Sequence, residues 1–391
     1  MTGDVVANDV VVVGAGHGGT QVATALRRLG WVGRLTLVDA DPWMPYQRPP
    51  LSKELLGDAK DLAALAFHPP EHYDDSSIDL RLGDAVVKID RTDRHVVLES
   101  GDRLEYDHLV LALGSRPREL PFPTHGLSGI HTLHDAHDAE ALRGSLGSAR
   151  SALIVGAGFI GLELASVLRH HGVKVTVVEV AADILSAALT AETATFLRRR
   201  HEADGVNFRF GSSVRLVKGA HGSVRSVVLD SEEEIPCDVV VVGIGTLAND
   251  DLAASASIVV DNGIVVDTTF RTSDPRVSAI GDCVRFPGPR GLLRVTSVQN
   301  AFDAATHVAR RLAGRDAGPV PVPWFWTDQA GVKVQMAGFP GGHDRIEVLG
   351  YPDEERFSVR RYREDRLVGG EAVGWPKEHL AVRREMARIL G

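Results

Sequence analysis

Four consecutive valines, Val10 to Val13, form an apolar run with no alternation, and the run stops at a glycine. Such a run predicts a strand covered on both faces, as in a parallel sheet. The following QVATALRRLG carries apolar positions at helical spacing, and LTLVD then reads as a second buried strand. Near residue 151 the same order returns: ALIV, a glycine turn, an apolar helix ending in VLRHHG, and the strand VKVTVVE. Short alternating strands are predicted through 78–110, ending at Leu113-Gly114-Ser115. DVVVVGIG and VSAIGDC read as further buried strands, the second before Gly281-Asp282. FLRRRHEADG reads as a basic helix with a solvated face, and VTSVQNAFDAATHVARRLAG as a helix with one apolar face. Beyond the proline-rich GPVPVPW, near residue 319, the pattern predicts a small antiparallel sheet closed by the helix PKEHLAVRREMARIL.

The turns between these elements carry the first chemistry. Gly14, Gly16 and Gly19 spell G-x-G-x-x-G between strand and helix. The first glycine permits the sharp turn, the second lets backbone approach a pyrophosphate, and the third lets helix and strand pack closely. The helix N-terminus offers unpaired N–H groups to phosphate. Asp39 ends the second strand, 20 residues beyond Gly19. The later copy has Gly156, Gly158 and Gly161, with Glu179 placed 18 residues on. Two such units imply two dinucleotide sites, and so a protein that passes electrons between two cofactors. A carboxylate at the end of the second strand binds a ribose 2′-hydroxyl and repels a 2′-phosphate. Glu179 is followed by Val180-Ala181-Ala182 with no basic residue, which predicts a preference for NADH over NADPH.

Composition narrows the class. With 44% hydrophobic and 24% charged residues over 391 positions, the chain has room for two or three cored domains and is not expected to be disordered. No apolar run reaches the ~20 residues of a membrane-spanning helix, and MTGDVVAND is acidic where an export signal is basic. A net charge of −9 argues against a general nucleic-acid binder. The two cysteines, Cys237 and Cys283, read as packing residues of a cytoplasmic protein without a disulfide framework. Pro49 and Pro50 stiffen the segment carrying Arg48 and Lys53, with a helix expected to open at Leu51. A solvated basic loop accounts for that stretch equally well.

The order GAGHGG, PYQRPPLSK, GAGFIGLE, AIGDC, SVQNA and PWFWTDQ resembles the FAD-dependent NADH:ferredoxin reductases of the oxygenase-coupled, putidaredoxin reductase-like family, over essentially the full length. The resemblance implies an α/β fold with two Rossmann-like dinucleotide-binding domains (glutathione reductase-like) plus a C-terminal α+β domain. It implies a discontinuous FAD-binding domain over 1–115 and 244–318, an NAD-binding domain over 116–243, and a reductase domain over 319–391. By the same resemblance Gly14, Gly16, Gly18 and Gly19 hold the FAD pyrophosphate, Asp39 the adenosine ribose, and the Val86 backbone the adenine. Asp282 bonds the ribityl chain, the Val298 segment approaches the flavin pyrimidine edge, and Arg48 and Gly245 join the cofactor-binding set. Gly156, Gly158, Ile160, Gly161 and Glu179 hold NADH. Lys53, paired with Glu163, stands near flavin N5, with Trp326 beside the flavin or in the core.

The implied reaction is hydride transfer from NADH to FAD, then two single-electron transfers to a 2Fe-2S ferredoxin serving a Rieske oxygenase or cytochrome P450. The stretch DADPWMPYQRPP has no cysteine, which excludes the thiol-using relatives of this fold. The alternatives are a rubredoxin reductase, an NADH oxidase or quinone reductase, or a flavin-holding NADH sensor. The protein is expected to be a monomer or homodimer with no nucleic-acid or membrane partner. An acidic ferredoxin calls for a locally basic docking face, with Arg360, Arg361, Arg363, Arg383, Arg384 and Arg388 as candidates. Gln47, Leu113, His131, Thr296, Ala330 and Ala40 depart from the family pattern, mostly around the flavin.

Overall fold

In the computed structural model, which describes residues 8–53, 56, 61–124, 126–288, 291–339 and 341–390, both valine-rich runs become central strands of parallel sheets. The chain divides into two compact units. The first comprises 1–47, 62–116 and 247–323, and the second 48–61, 117–246 and 324–391.

In the first unit the sheet order is Val277–Ala279, His108–Leu111, Asp9–Val13, Arg34–Asp39, Asp79–Leu82, every pair parallel. Val10, Val11 and Val12 are fully buried because strands flank them and helix His17–Arg28 and strand Arg103–Glu105 pack against theirs. Helix His17–Arg28 buries Val22, Ala23, Ala25 and Leu26, and packs against helix Val298–Leu312 through Ala301, Ala304, Ala305 and Val308. Small residues there let the helix axes approach closely. Ser297 caps the second helix by accepting from the Asn300 N–H at 3.1 Å. The alternating stretch after residue 85 forms an antiparallel meander, Val86–Asp90, His95–Leu98 and Arg103–Glu105.

The second unit repeats the scheme as Val206–Phe210, Lys174–Glu179, Ser151–Val155, Val239–Val242, Ile130–His131, again all parallel. A three-stranded hairpin, Val214–Ala220, Ser223–Leu229 and Glu234–Pro236, closes a core of Leu153, Val155, Val178, Val227, Leu229 and Val240. Cys237 is one of the packing residues of that core. The C-terminal part of the unit is a five-stranded antiparallel sheet in the order Trp324–Gln329, Val332–Gly338, Arg366–Val373, Arg356–Arg363, Arg345–Tyr351. Helix Pro376–Leu390 lies on it.

Residues 48–61 group with the second unit although they follow the first-copy acid in sequence. The helix expected from Leu51 is a single 3-10 turn, Pro49–Ser52, packed on helix Phe159–His170. Its continuation through 54–55 and 57–60 lies outside the described residues. No helix among the described residues is long and apolar enough to cross a membrane.

Candidate functional site

Each glycine turn sits at the carboxyl edge of its parallel sheet, the edge where α/β proteins bind ligands. The three glycines of each copy are required for different reasons. Gly14 has φ +100°, and a Cβ there would collide with the Ala112 carbonyl; Gly156 has φ +103° and would meet the Gly243 carbonyl. A Cβ on Gly19 or Gly161 would strike the carbonyl of the first glycine of its own copy. Gly16 has no protein atom within 4 Å of a Cβ position, and Gly158 has only the Gly243 carbonyl at 4.0 Å. Nothing among the described residues therefore demands the middle glycine. The space in front of it fits a pyrophosphate approaching the helix N-terminus.

The two acids act in the same way. The Asp39 carboxylate accepts from the Ala15 N–H and, at 2.8 Å, from the Asp41 N–H. The Glu179 carboxylate accepts from Ala157 N–H at 2.7 Å and Ala181 N–H at 2.8 Å. Each acid latches its own glycine loop while standing at the tip of the second strand, where a ribose would lie. Among the other first-unit candidates, Asp282 occupies the Gly281–Cys283 turn after a sheet strand. Val298 opens the Ser297-capped helix. Val86 begins its strand two residues after Asp84, whose N–H donates to the Asp39 carbonyl at 3.2 Å.

Arg48, Lys53, Ile160, Glu163, Gly245 and Trp326 belong to the second unit. Arg48 is spoken for by its own unit, donating to the His134 carbonyl at 3.1 Å. Ile160 is 45% exposed on the first turn of its helix, as a residue meeting a ligand can be. Gly245 has φ +95° and accepts from the Arg118 N–H at 2.9 Å.

Lys53 and Glu163 do meet. The ammonium lies 3.3 Å from Glu163 Oε1 and 3.9 Å from Asp328. Thr327 Oγ1 donates to Glu163 Oε1 at 2.7 Å, and Ser52 Oγ to Oε2 at 3.0 Å. Three donors from two segments, Ser52-Lys53 and the strand carrying Thr327, thus converge on one carboxylate whose side chain is 11% exposed. Such an arrangement fixes the orientation of the acid and holds the lysine beside it. A cleft of about 620 Å³ opens against Lys53, with His170, His171, Asp328 and Lys333 in its wall. Trp326 is half-buried in the WFW strand, its ring 5.6 Å from Trp324, and Phe325 meets Phe159 edge-on at 4.8 Å.

The basic docking face needs correction. Arg361 is buried and pairs with the buried Glu371, because its strand lies inside the C-terminal sheet. Arg360 is held by Glu378 at 2.6 Å and Glu385 at 3.1 Å, and Arg383 lies over the Trp324 ring. Arg384 and Arg388 are exposed. The RRR helix is likewise only partly solvated: Arg200 donates to the Ala330 carbonyl and pairs with Glu355. Among the departures from pattern, His131 is bonded to Ser145 at 2.8 Å. Ala330 holds a left-handed turn position, φ +48°, with its N–H donated to Ser166 Oγ at 2.9 Å.

The family described as pyridine nucleotide-disulphide oxidoreductase matches residues 8–305, and a reductase C-terminal family matches 324–389. This chain is a pyridine nucleotide-disulphide oxidoreductase. Rhodocoxin reductase from Rhodococcus erythropolis is 43% identical over 97% of this chain and 89% of its own length. A ferredoxin reductase for the CYP199A2 system from Rhodopseudomonas palustris has a TM-score of 0.92 at 40% identity, covering 95% and 93% of the two chains. The covalent complex of putidaredoxin reductase with putidaredoxin has a TM-score of 0.93 at 34% identity, covering 96% and 92%. As a pyridine nucleotide-disulphide oxidoreductase the protein is a flavoprotein that uses FAD and a pyridine nucleotide, which agrees with two nucleotide cradles in one chain. The "disulphide" of the family description has no counterpart in this chain. Cys237 and Cys283 are both buried free thiols, and burial pushes each up to about 12.

Proposed function

We propose that this protein passes electrons from NADH, through FAD, to a 2Fe-2S ferredoxin that supplies a Rieske oxygenase or cytochrome P450. The observation that carries the reading is two dinucleotide cradles in a chain whose only thiols are buried and protonated at neutral pH. With no internal disulfide to reduce, the electrons leave for a partner. FAD, when bound, supplies the exchange between a two-electron donor and a one-electron acceptor. The first-copy turn, with Gly14, Gly16, Gly18, Gly19 and Asp39, holds FAD; Gly156, Gly158, Gly161 and Glu179 hold NADH. Lys53, fixed by Glu163, places a positive charge where incoming hydride makes the acceptor more electron-rich. The two free thiols suit a cytoplasmic protein.

The direct test is cytochrome c reduction driven by NADH with and without a purified 2Fe-2S ferredoxin. The rate should depend on the ferredoxin, fall as salt is added if the acidic partner docks near exposed Arg384 and Arg388, and be lower in kcat/KM with NADPH. A reduced flavin that persists with no ferredoxin-dependent turnover would favour an NADH sensor instead. A rate equal without ferredoxin would favour an oxidase.

The middle glycine gives a cleaner expectation about FAD. Gly16 has φ −68° and open space around its Cβ position, so Gly16→Ala should leave the thermal stability of the apoprotein unchanged. FAD retention should fall at least tenfold, because the new methyl occupies the pyrophosphate approach. Titration of the apoprotein with FAD, beside its melting curve, checks both halves.

A further inference from the structure

Thr327 does more than donate to Glu163. Its hydroxyl has one proton, which goes to Glu163 Oε1 at 2.7 Å, so its lone pair is left to accept from Gln329 Nε2 at 3.0 Å. That orientation turns Gln329 Oε1 toward His201 Nε2 at 2.7 Å, and the imidazole must carry its proton on Nε2. Thr327 and His201 are completely buried and Gln329 is 3% exposed, so water does not complete these bonds. Burial lowers the His201 pKa, which keeps the ring neutral with a single N–H. His201 Nδ1 has no partner among the described residues. Every link in the series His201, Gln329, Thr327, Glu163, Lys53 therefore has one permitted direction. A flipped amide would set Gln329 Nε2 against the His201 N–H, donor against donor, and Gln329 Oε1 against the Thr327 lone pair.

The series joins three elements of one unit. His201 is at the end of helix Ala191–Ala203, Thr327 and Gln329 share one face of strand Trp324–Gln329, and Glu163 is on helix Phe159–His170. Leaving polar groups unpaired at such depth costs about 1–3 kcal/mol each. A buried apolar contact would have joined the same elements without that exposure to error. What the polar series adds is a defined orientation at its exposed end.

We propose that Thr327, Gln329 and His201 are positioning residues for the reaction: they hold Glu163 as an oriented carboxylate, and Glu163 in turn holds the Lys53 ammonium. The inference rests on the reading of Lys53 and Glu163 given above. Its test has two independent parts. Long-range 15N–1H spectra of histidine-labelled holoenzyme should show His201 as the Nε2–H tautomer. Gln329→Leu should abolish that tautomer's preference. Finding the proton on Nδ1 in the unmodified protein would overturn the proposal without any variant having to fold.

The second part is stopped-flow reduction of the bound flavin by NADH with no ferredoxin present. Thr327→Val, nearly the same shape, should slow the limiting rate about tenfold, the effect of one lost hydrogen bond to a charged group. The Kd for NADH should stay within about twofold, since the nucleotide cradle is untouched. Thr327→Ser should restore most of the rate. An unchanged rate in Thr327→Val, or a serine variant as slow as valine, would overturn the positioning role. A wrong assignment of the electron acceptor leaves both readouts unmoved. A wrong assignment of Lys53 shows separately, as an unchanged rate in Lys53→Ala while the His201 tautomer persists.

Discussion

Lys53→Ala should slow reduction of the bound flavin by NADH by roughly two orders of magnitude, the usual effect of removing one preorganised electrostatic partner from a reacting centre. The ammonium is not a loosely solvated surface charge. It lies 3.3 Å from Glu163, its side chain is 28% exposed, and the Pro49–Ser52 turn before it is packed on the helix that carries Glu163. Deleting it removes the positive charge and leaves the Glu163 carboxylate with the Ser52 and Thr327 donors, beside what the proposed function makes an acceptor about to gain negative charge. Both effects raise the same barrier. Stopped-flow flavin absorbance at saturating NADH measures it, and the NADH concentration giving half the limiting rate should move much less. An undiminished limiting rate would reduce the ion pair to a structural link.

Glu371→Ala should cost about 3–5 kcal/mol of stability, through the stranded charge of Arg361. Glu371 is 1% exposed and Arg361 2%, with the ion pair at 3.7 Å. The carboxylate also accepts from the Thr190 N–H at 2.9 Å and the Thr190 hydroxyl at 2.8 Å. Thr190 is the N-cap of helix Ala191–Ala203, so Glu371 places negative charge at a helix N-terminus. Removing it strands a buried guanidinium, leaves the Thr190 N–H and hydroxyl without their acceptor and loosens the C-terminal sheet from that helix. Differential scanning calorimetry should show the second unit melting well below its normal temperature. Glu371→Gln keeps the shape and cap contacts while losing the charge, and it should fall between.

The two glycine turns were legible from sequence because their causes are local. A positive φ at the first glycine and a helix packed on its own strand are set within a few residues, and the acid follows by counting. The pairing of Lys53 with Glu163 came from the resemblance to a family rather than from spacing, since the two are far apart in the chain. The relay behind Glu163 left no periodic trace. His201 stood beside three arginines in a stretch that reads as a solvated face, and its partner Gln329 is 128 positions away. The basic strand was misread for a related reason. A run of arginines reports charge but not the register of the sheet it joins. In that register Val359 lies opposite Glu371, two places from Arg361, and the buried partner becomes visible only there.

The double duty of Asp39 and Glu179 bears on any attempt to re-engineer nucleotide choice. Each carboxylate ties down its own glycine loop, through Ala15 and Ala157 respectively, and in the proposed function each also meets a ribose. Under that proposal one mechanical part grips both halves of a dinucleotide. Exchanging Glu179 for a residue that tolerates a 2′-phosphate would release the latch on its loop, so a single substitution would trade selectivity for general slackness. A successful switch of coenzyme would need a second change that fastens the Ala157 amide again.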